Sequence, residues 1–378
     1  MDDERKKKVC YFEISWIRVG EIWQSSKRKE DKCVSVLATI QDEFKAPFYL
    51  VWEITLRCNA KCVHCYSGAG LAHPMEFSTE EALSVVDQLA DAGVLILGLS
   101  GGEALLRPDW MQIASRASGR GMMVSVGTNG AVINDTMCGK LKQAGIQSVC
   151  VSIDGATAEV HEQVRGVPGL FNKAVEAVAC LVRNGISVTV GYTPTKLNFR
   201  DGRNVVKLAA ELGANGANLS EFIPTGRGDR DLALSPEELK GVIEEWIEMQ
   251  EEYAGRMKIY WHDCRVALML PPKEGAMYIG CGAGRVTARI TVEGNVTPCV
   301  TLPMAAGNLR ESTFDEIWNH SPLLAGIRDR KSKTEGNCGT CEHKFVCGGC
   351  RSASLAYYGD PALGDPYCWI VPETAAAL

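Results

Sequence analysis

The sequence lacks the features that would tie the chain to a membrane or to nucleic acid. No apolar run approaches the roughly 20 residues that span a bilayer, and the charged opening at residues 1–8 has no signal-peptide core behind it. Positive charge is also short, because the formal net charge is -6, which gives no global attraction for nucleic acid or an anionic membrane. We therefore expect a cytoplasmic protein with neither kind of partner.

Cysteine, in contrast, is abundant, with 16 residues. Because the cytosol keeps thiols reduced, disulfides would be unusual here, and metal sites are the leading explanation. One group of cysteines lies within residues 58–65 and another in the last quarter of the chain. Cys150 and Cys180 lie outside both groups, in apolar segments where a buried structural thiol is the ordinary interpretation.

From residue 50 onward, apolar strand-like runs alternate with helical patterns. We predict strands at residues 50–54, 94–99, 122–127, 148–153, 187–192 and 217–222, and helices at 78–92, 110–120, 134–143, 171–184, 201–212 and 235–253. This order means parallel strands joined by right-handed crossovers, an α/β fold. A doubly wound sheet and an incomplete barrel both satisfy it, and both keep their active sites at the C-terminal ends of the strands.

The first cysteine group follows the first predicted strand. Cys58, Cys62 and Cys65 have the spacing CX3CX2C. Three soft ligands on one loop can hold three corners of an iron-sulfur cube and leave the fourth iron free. A zinc site completed by His64 or His73 is the alternative, and the spacing alone does not exclude it.

This motif, with the aromatic His64 before its last cysteine, resembles the signature of the radical S-adenosylmethionine (SAM) enzymes. The resemblance implies that Cys58, Cys62 and Cys65 bind a 4Fe-4S cluster whose open iron chelates SAM. Electron transfer would then cleave SAM to methionine and a 5'-deoxyadenosyl radical.

A second motif agrees with the first. Gly101, Gly102 and Glu103 follow the second predicted strand and resemble the family's GGE segment, which contacts the SAM amino group. Glycines let the backbone approach a ligand closely, and a carboxylate matches an ammonium. The family usually has proline next, where this chain has Ala104.

Five further residues lie where the family lines its SAM and substrate cavity, although each of them could equally serve a turn or a surface charge. They are Thr128 and Asn129 after the third strand, Ser152 and Asp154 at the fourth, and Arg165, which resembles an arginine that meets the SAM carboxylate.

The second cysteine group has seven members: Cys281, Cys299, Cys338, Cys341, Cys347, Cys350 and Cys368. Taken alone, the section CX2CX5CX2C could be a zinc ribbon. The complete series, with Gly294 before its second cysteine, resembles the SPASM domain, which carries two auxiliary 4Fe-4S clusters. This chain departs from the pattern by ending that section in CX2C instead of CX3C.

By position, the resemblance divides these cysteines between two auxiliary clusters: Cys338, Cys341, Cys347 and Cys368 hold one, and Cys281, Cys299 and Cys350 begin the other. The second set has only three certain ligands. Either Cys264 completes it or the site is open to substrate.

The two resemblances cover residues 48–370. They imply a partial (β/α)6 barrel of the TIM type at residues 46–255 and a small cysteine-rich iron-sulfur domain at residues 256–378. Residues 1–45 are interpreted as an N-terminal extension.

Three functions compete. Residues 224–228 and 281–285 are similar to the maturases of mycofactocin and pyrroloquinoline quinone, which favours hydrogen abstraction from a ribosomally made peptide. Residues 347–351 and 365–368 are similar to enzymes that modify tetrapyrrole side chains in alternative haem and haem d1 pathways. A non-catalytic metal scaffold is the third possibility, and it gives the GGE segment no purpose.

Of these we favour the peptide. No peptide-recognition domain is visible, so a separate leader-binding protein would be needed. Reduced flavodoxin or ferredoxin is expected as the electron donor from the family resemblance alone. The sequence identifies no catalytic acid or base.

Overall fold

The computed structural model describes residues 45–270, 280–329 and 335–370 and is built on one sheet of ten strands. The predicted extension lies outside the described residues up to residue 44. The first seven strands are β1 (Tyr49–Thr55), β2 (Ile96–Gly101), β3 (Met123–Thr128), β4 (Ile146–Ser152), β5 (Ser187–Tyr192), β6 (Gly216–Leu219) and β7 (Lys258–Trp261). The helices between them are α1 (Thr79–Ala92), α2 (Trp110–Gly119), α3 (Asp135–Gln143), α4 (Ala158–Arg165), α5 (Leu170–Arg183), α6 (Gly202–Glu211) and α7 (Pro236–Glu252).

The order of the strands decides between the two predicted architectures. Strands β1 to β7 lie side by side in chain order, and each neighbouring pair is parallel. A doubly wound sheet would reverse its order at a switch point, and none occurs here. The strand order ends at β7 on one side without returning to the other edge, so the fold is a partial barrel.

All six predicted strands and all six predicted helices are present, with ends shifted by at most a few residues. The helix α4 and the strand β7 were not predicted. The face of α4 that packs inward consists of only His161 and Val164, too few for a helical period to show. In β7 only Ile259 is buried, so alternation is equally hard to detect.

Local signals explain several of the boundaries. Ser78 and Ser235 each form a capping box at the start of α1 and α7, in which the hydroxyl accepts the N–H of a glutamate three residues on. Pro236 occupies the first turn of α7, where its missing N–H costs nothing.

The two faces of β1 differ in character. Trp52 faces the surrounding helices and packs edge-on against Phe77, with ring centroids 6.1 Å apart. Because side chains alternate along a strand, Glu53 and Thr55 face the barrel interior instead, yet both are buried. The interior beneath the strand ends is therefore polar.

The C-terminal part of the chain joins the same sheet. Strand β8 (Thr287–Ile290) pairs in parallel with β1, and β9 (Asn295–Thr297) and β10 (Gly307–Asn308) continue antiparallel from it. Four short helices follow: α8 (Phe314–His320), α9 (Pro322–Arg328), α10 (Gly336–Gly339) and α11 (Arg351–Tyr358). The domain boundary at residue 255 remains a prediction. Among the described residues, no helix is both long and apolar enough to cross a membrane.

Candidate metal and cofactor centres

The loop that carries the first three cysteines leaves the C-terminal end of β1 and is fixed at several points. Its amides at Lys61 and Val63 donate to carbonyls at the end of α4, over 3.1 and 2.9 Å. From the other side, the guanidinium of Arg227 donates to the Cys62 carbonyl over 2.8 Å. These bonds hold the loop over the mouth of the barrel.

The same loop brings its three thiols together. Cys58, Cys62 and Cys65 pack with Ala60 and Leu170 in one small cluster. Burial raises the pKa of the Cys58 thiol, and the neighbouring Cys62 and Cys65 raise it further. A group that binds thiolates and neutralises their mutual repulsion, as an iron-sulfur cluster does, fits this set.

The Gly101–Gly102 turn lies beside this loop and requires glycine at both positions. Gly101 has a φ of +122°, and a Cβ there would lie 2.1 Å from the carbonyl oxygen of Thr55. A Cβ on Gly102 would lie 2.3 Å from the carbonyl oxygen of Arg57. The turn therefore binds directly to the backbone that follows β1, and Gly102 donates to Thr55 over 2.7 Å.

Glu103 completes this turn and is fully buried. Its carboxylate accepts hydrogen bonds from the Thr128 hydroxyl at 2.9 Å and the Asn129 amide N–H at 2.8 Å. Burial raises its pKa to about 7, against the lowering effect of these donors. The Asn129 side chain in turn donates to Asn59 over 2.7 Å, so β3 and the cysteine loop are joined at this point.

Asp154 and Arg165 form a buried ion pair next to the cysteine loop, with Arg165 Nε 2.5 Å from Asp154 Oδ2. Arg165 also donates to the Cys62 sulfur over 3.6 Å. Burial alone would raise the pKa of Asp154, but Arg165 and His64 bring it below its usual range. Ser152 lies half-buried at the end of β4.

His64 belongs to this network, a role the sequence did not reveal. Its Nε2 lies 3.6 Å from Asp154 Oδ2, and burial lowers its pKa to about 4. The imidazole is therefore neutral at physiological pH. The position of His64 before the last cysteine was visible in the sequence. Its contact with Asp154, 90 residues further on, could not be predicted from the sequence.

The barrel interior contains a second ion pair, between Glu53 and Arg289. Arg289 Nη1 lies 3.6 Å from Glu53 Oε1, and the guanidinium also lies over the ring of Tyr66. Glu53 Oε1 and Arg289 Nε are buried without a hydrogen-bond partner. Burial raises the pKa of Glu53. Tyr66, next to Cys65, contacts the Ser100 hydroxyl at 3.3 Å.

Four of the C-terminal cysteines line one small, partly open cavity. Four of its lining residues are those that the sequence assigned to one auxiliary cluster: Cys338, Cys341, Cys347 and Cys368. No three His, Cys, Asp or Glu side chains in the described ranges converge as the ligands of a single metal ion would. Four cysteine thiolates are the usual donor set of a 4Fe-4S cluster, and these four line one space.

Three other cysteines lie close to one another nearby. Burial raises the pKa of Cys299 to about 11, and the neighbouring Cys281 contributes. Cys281 likewise contributes to the raised pKa of Cys350, of which burial is the main cause. The structure thus brings together the three residues that the sequence assigned to the other auxiliary cluster.

A group of buried charges lies beside these cysteines and was missed entirely by the sequence analysis. Arg265 donates to Asp263, to both oxygens of Asp365 at 3.0 Å, and to Glu221 at 2.7 Å. Burial among these carboxylates raises the pKa of Glu221 well above its usual value. Asp365 also accepts the Cys350 amide N–H at 2.9 Å.

A partial barrel with a three-cysteine loop and a glycine turn at its mouth, followed by a cysteine-lined C-terminal region, defines an enzyme that uses an iron-sulfur cluster with SAM. The Radical SAM superfamily model matches residues 52–209, and an iron-sulfur cluster-binding domain model, SPASM, matches residues 281–342. The chain belongs to the radical SAM superfamily, in the group that carries a SPASM domain. Its cofactors are SAM and 4Fe-4S clusters.

Relatives of this chain include enzymes with different names. It is 36% identical to the AdoMet-dependent heme synthase of Methanosarcina barkeri, over 85% of this chain and 96% of that protein. It is 33% identical to the mycofactocin maturase MftC of Mycobacterium ulcerans, over 85% of this chain and 88% of that protein. The pre-heme d1 synthase of Dinoroseobacter shibae is 30% identical, over 87% and 88%.

Solved structures share the fold at low sequence identity. Streptococcus suis SuiB, bound to its precursor peptide SuiA, superposes with a TM-score of 0.72 at 18% identity, over 92% of this chain and 84% of that one. The enzyme anSMEcpe, with bound AdoMet and a peptide, gives 0.66 at 18% identity, over 85% and 94%. At this level of identity the similarity establishes the architecture.

Proposed function

We propose that Cys58, Cys62 and Cys65 hold the cluster that binds SAM, with Gly101, Gly102 and Glu103 beside the SAM amino group. The three thiols lie together on one loop, and the buried carboxylate of Glu103 lies close enough to affect Cys58. Glu103 has only neutral hydrogen-bond donors, so an amino group would find an acceptor there. Thr128 and Asn129 position Glu103.

The residues Ser152, Asp154 and Arg165 line the other side of the same site in this proposal. Because Arg165 is paired with Asp154 and also reaches Cys62, it can orient the cysteine loop as well as meet a SAM carboxylate. When bound, the cluster and SAM supply a carbon-centred oxidant that removes a hydrogen atom from substrate. The chain's own contribution is to orient that substrate and exclude water.

We propose that the substrate is a tetrapyrrole and that the enzyme converts propionate side chains to vinyl groups. The observation that carries this proposal is the 36% identity to a haem synthase over 96% of that protein's length. The peptide, which the sequence favoured, is supported by the maturase relatives and stands second. From the carboxylate form, each conversion removes one hydrogen atom, carbon dioxide and one electron; the hydrogen atom appears in 5'-deoxyadenosine, and the electron passes to a one-electron acceptor that must be supplied.

The barrel interior supports an acidic substrate. Arg289 is a buried cation with Nε unpaired, and its partner Glu53 has a raised pKa that weakens it as a competing anion. A substrate carboxylate that enters from the mouth of the barrel could pair with this guanidinium. Because Arg289 is already buried, pairing would add little desolvation cost on the side of the protein.

A peptide substrate is the second candidate, favoured by the 33% identity to a mycofactocin maturase. In that case a separate leader-binding protein would deliver the peptide. For either substrate we propose reduced flavodoxin or ferredoxin as electron donor and the cytoplasm as location.

The two candidates can be separated with the anaerobically reconstituted chain, dithionite and SAM. One probe is an iron porphyrin with four methyl and four propionate side chains, and its matched control is the same porphyrin with the propionates esterified. We expect 5'-deoxyadenosine to rise above the substrate-free rate only with the free acid. Mass spectrometry should show the loss of one carbon dioxide and two hydrogens per side chain.

The opposite result is equally clear. If the free acid stimulates no turnover, and a precursor peptide encoded beside the gene is modified in the presence of its leader-binding protein, the peptide function replaces the tetrapyrrole function.

A further inference from the structure

The auxiliary site formed by Cys281, Cys299 and Cys350 has one ligand fewer than the four irons of a cluster require. Two side chains from the barrel side of the molecule reach this region. They are Glu221, which follows β6, and Cys264, which follows β7. The question is which of them faces the three thiols.

Glu221 presents one carboxylate oxygen to this site. Its Oε1 accepts a hydrogen bond from the Cys350 thiol at 3.6 Å. Its other oxygen, Oε2, accepts from Arg265 at 2.7 Å. The carboxylate is thus anchored through one oxygen and directed at a cysteine ligand through the other.

The anchor of Glu221 is also the anchor of Cys350. Arg265 is completely buried and binds Asp365 through a pair of 3.0 Å hydrogen bonds. Asp365 in turn accepts the backbone N–H of Cys350 at 2.9 Å. Partners that orient ligands in this way are typical of the surroundings of metal sites.

Cys264 is engaged with a different cysteine. Its pKa is raised chiefly by a side-chain hydrogen bond with Cys347 and by burial, with the charge of Cys281 a lesser contribution. Cys347 lines the cavity of the other auxiliary cluster. Cys264 is therefore placed to hydrogen-bond a sulfur of that neighbouring cluster.

We propose that Glu221 is the fourth ligand, through Oε1, of the auxiliary cluster held by Cys281, Cys299 and Cys350. This cluster is consequently closed to substrate and contains one iron with an oxygen ligand in place of sulfur. Cys264 contributes a hydrogen bond and no coordination. The assignment does not depend on whether the substrate is a tetrapyrrole or a peptide.

The test uses the full chain carrying Cys58→Ala, Cys62→Ala and Cys65→Ala, so that only the auxiliary clusters contribute to the spectra. In this background we compare Glu221→Gln, Glu221→Cys and Cys264→Ser, with Glu244→Gln on the exposed face of α7 as matched control. Iron and sulfide per chain and the EPR spectra of the oxidised and of the dithionite-reduced protein are measured.

Glu221→Gln should lose about one iron per chain, as the cluster converts to a three-iron form with its own oxidised EPR signal. Glu221→Cys should restore that iron with an EPR spectrum different from the parent. Cys264→Ser and Glu244→Gln should keep both the iron and the parent spectrum.

Two results would overturn the proposal. Loss of iron in Cys264→Ser with the parent spectrum kept in Glu221→Gln would make Cys264 the ligand. Parent iron content and spectrum in both variants would mean that the fourth iron is open.

Discussion

At the scale of single residues, Glu103 is unusual because a buried carboxyl accepts hydrogen bonds only from neutral donors, with Arg165 acting on it as a charge that lowers its pKa. The Thr128 hydroxyl and the Asn129 N–H lower its pKa, but burial outweighs them and leaves the pKa at about 7. A neighbouring cation would reverse this balance. A carboxyl in this balance suits an ammonium ligand, because direct contact with a cation would favour its charged form.

This balance predicts a pH-dependent stability for the apoprotein. The folded pKa of Glu103 is about 7 and the ordinary value is 4.5, so its contribution is fully present below pH 4.5 and is lost as the pH rises through 7. Between pH 5 and 8 we expect it to remove about 2 to 3 kcal/mol of unfolding free energy. Urea denaturation at a series of pH values gives the unfolding free energy of the parent and of Glu103→Gln. Between pH 5 and 8 the parent should lose about 2 to 3 kcal/mol more than the variant, and parallel pH profiles would contradict the pKa.

The sequence revealed those site residues whose relation is local. Cys58, Cys62 and Cys65 lie on one loop, so their spacing alone indicates a common ligand. The contacts of Arg265 were invisible, because its partners Glu221 and Asp365 lie 44 and 100 positions away. An isolated arginine or glutamate in a sequence looks like a surface residue, and only the folded chain shows that these meet.

At the scale of elements, the turn after β2 is fixed by its closeness to the chain after β1. Gly101 and Gly102 have no room for a side chain, and both face carbonyl oxygens of the segment that leads into the cysteine loop. The turn and the loop therefore move together. Sequence patterns predicted the strands and helices that flank this turn, because the strands are strongly apolar and the helices are capped. The short helix α4 could be recognised only in the folded structure.

A matched pair of glycines tests this coupling. Gly101 and Gly121 both have positive φ, +122° and +86°, but a Cβ on Gly121 meets nothing within 4 Å. Gly121→Ala should therefore cost only the backbone strain, roughly 1 kcal/mol, and leave SAM cleavage unchanged. Gly101→Ala should also displace the cysteine loop and reduce 5'-deoxyadenosine formation on the order of a hundredfold. Equal activity in the two variants would show that the turn does not position the cluster.

At the scale of the whole molecule, one sheet organises all of the cysteine sites. The strand β8 pairs with β1, whose C-terminal end carries the first cysteine loop, and Arg265 joins the ends of β6 and β7 to Asp365 near the C-terminus. The sequence predicted the two cysteine groups as separate units. It did not predict that the second group would be attached to the barrel by both strand pairing and buried charge.

The ligand sets of the three clusters do not overlap, so each cluster should be removable by itself. The reconstituted parent should contain about 12 irons per chain. Cys338→Ala with Cys341→Ala should lower this to about 8 and still release 5'-deoxyadenosine, since the cavity that they line is apart from the loop at Cys58. Cys58→Ala with Cys62→Ala and Cys65→Ala should also give about 8 irons but abolish cleavage.

Cys138→Ala, which removes a buried thiol 3.6 Å from Cys180, is the matched control and should match the parent in both measurements. Because only the cluster at the barrel mouth has an iron open to SAM in this assignment, SAM cleavage in the Cys58 triple variant, or its complete loss in the Cys338 double variant with the other irons retained, would refute it.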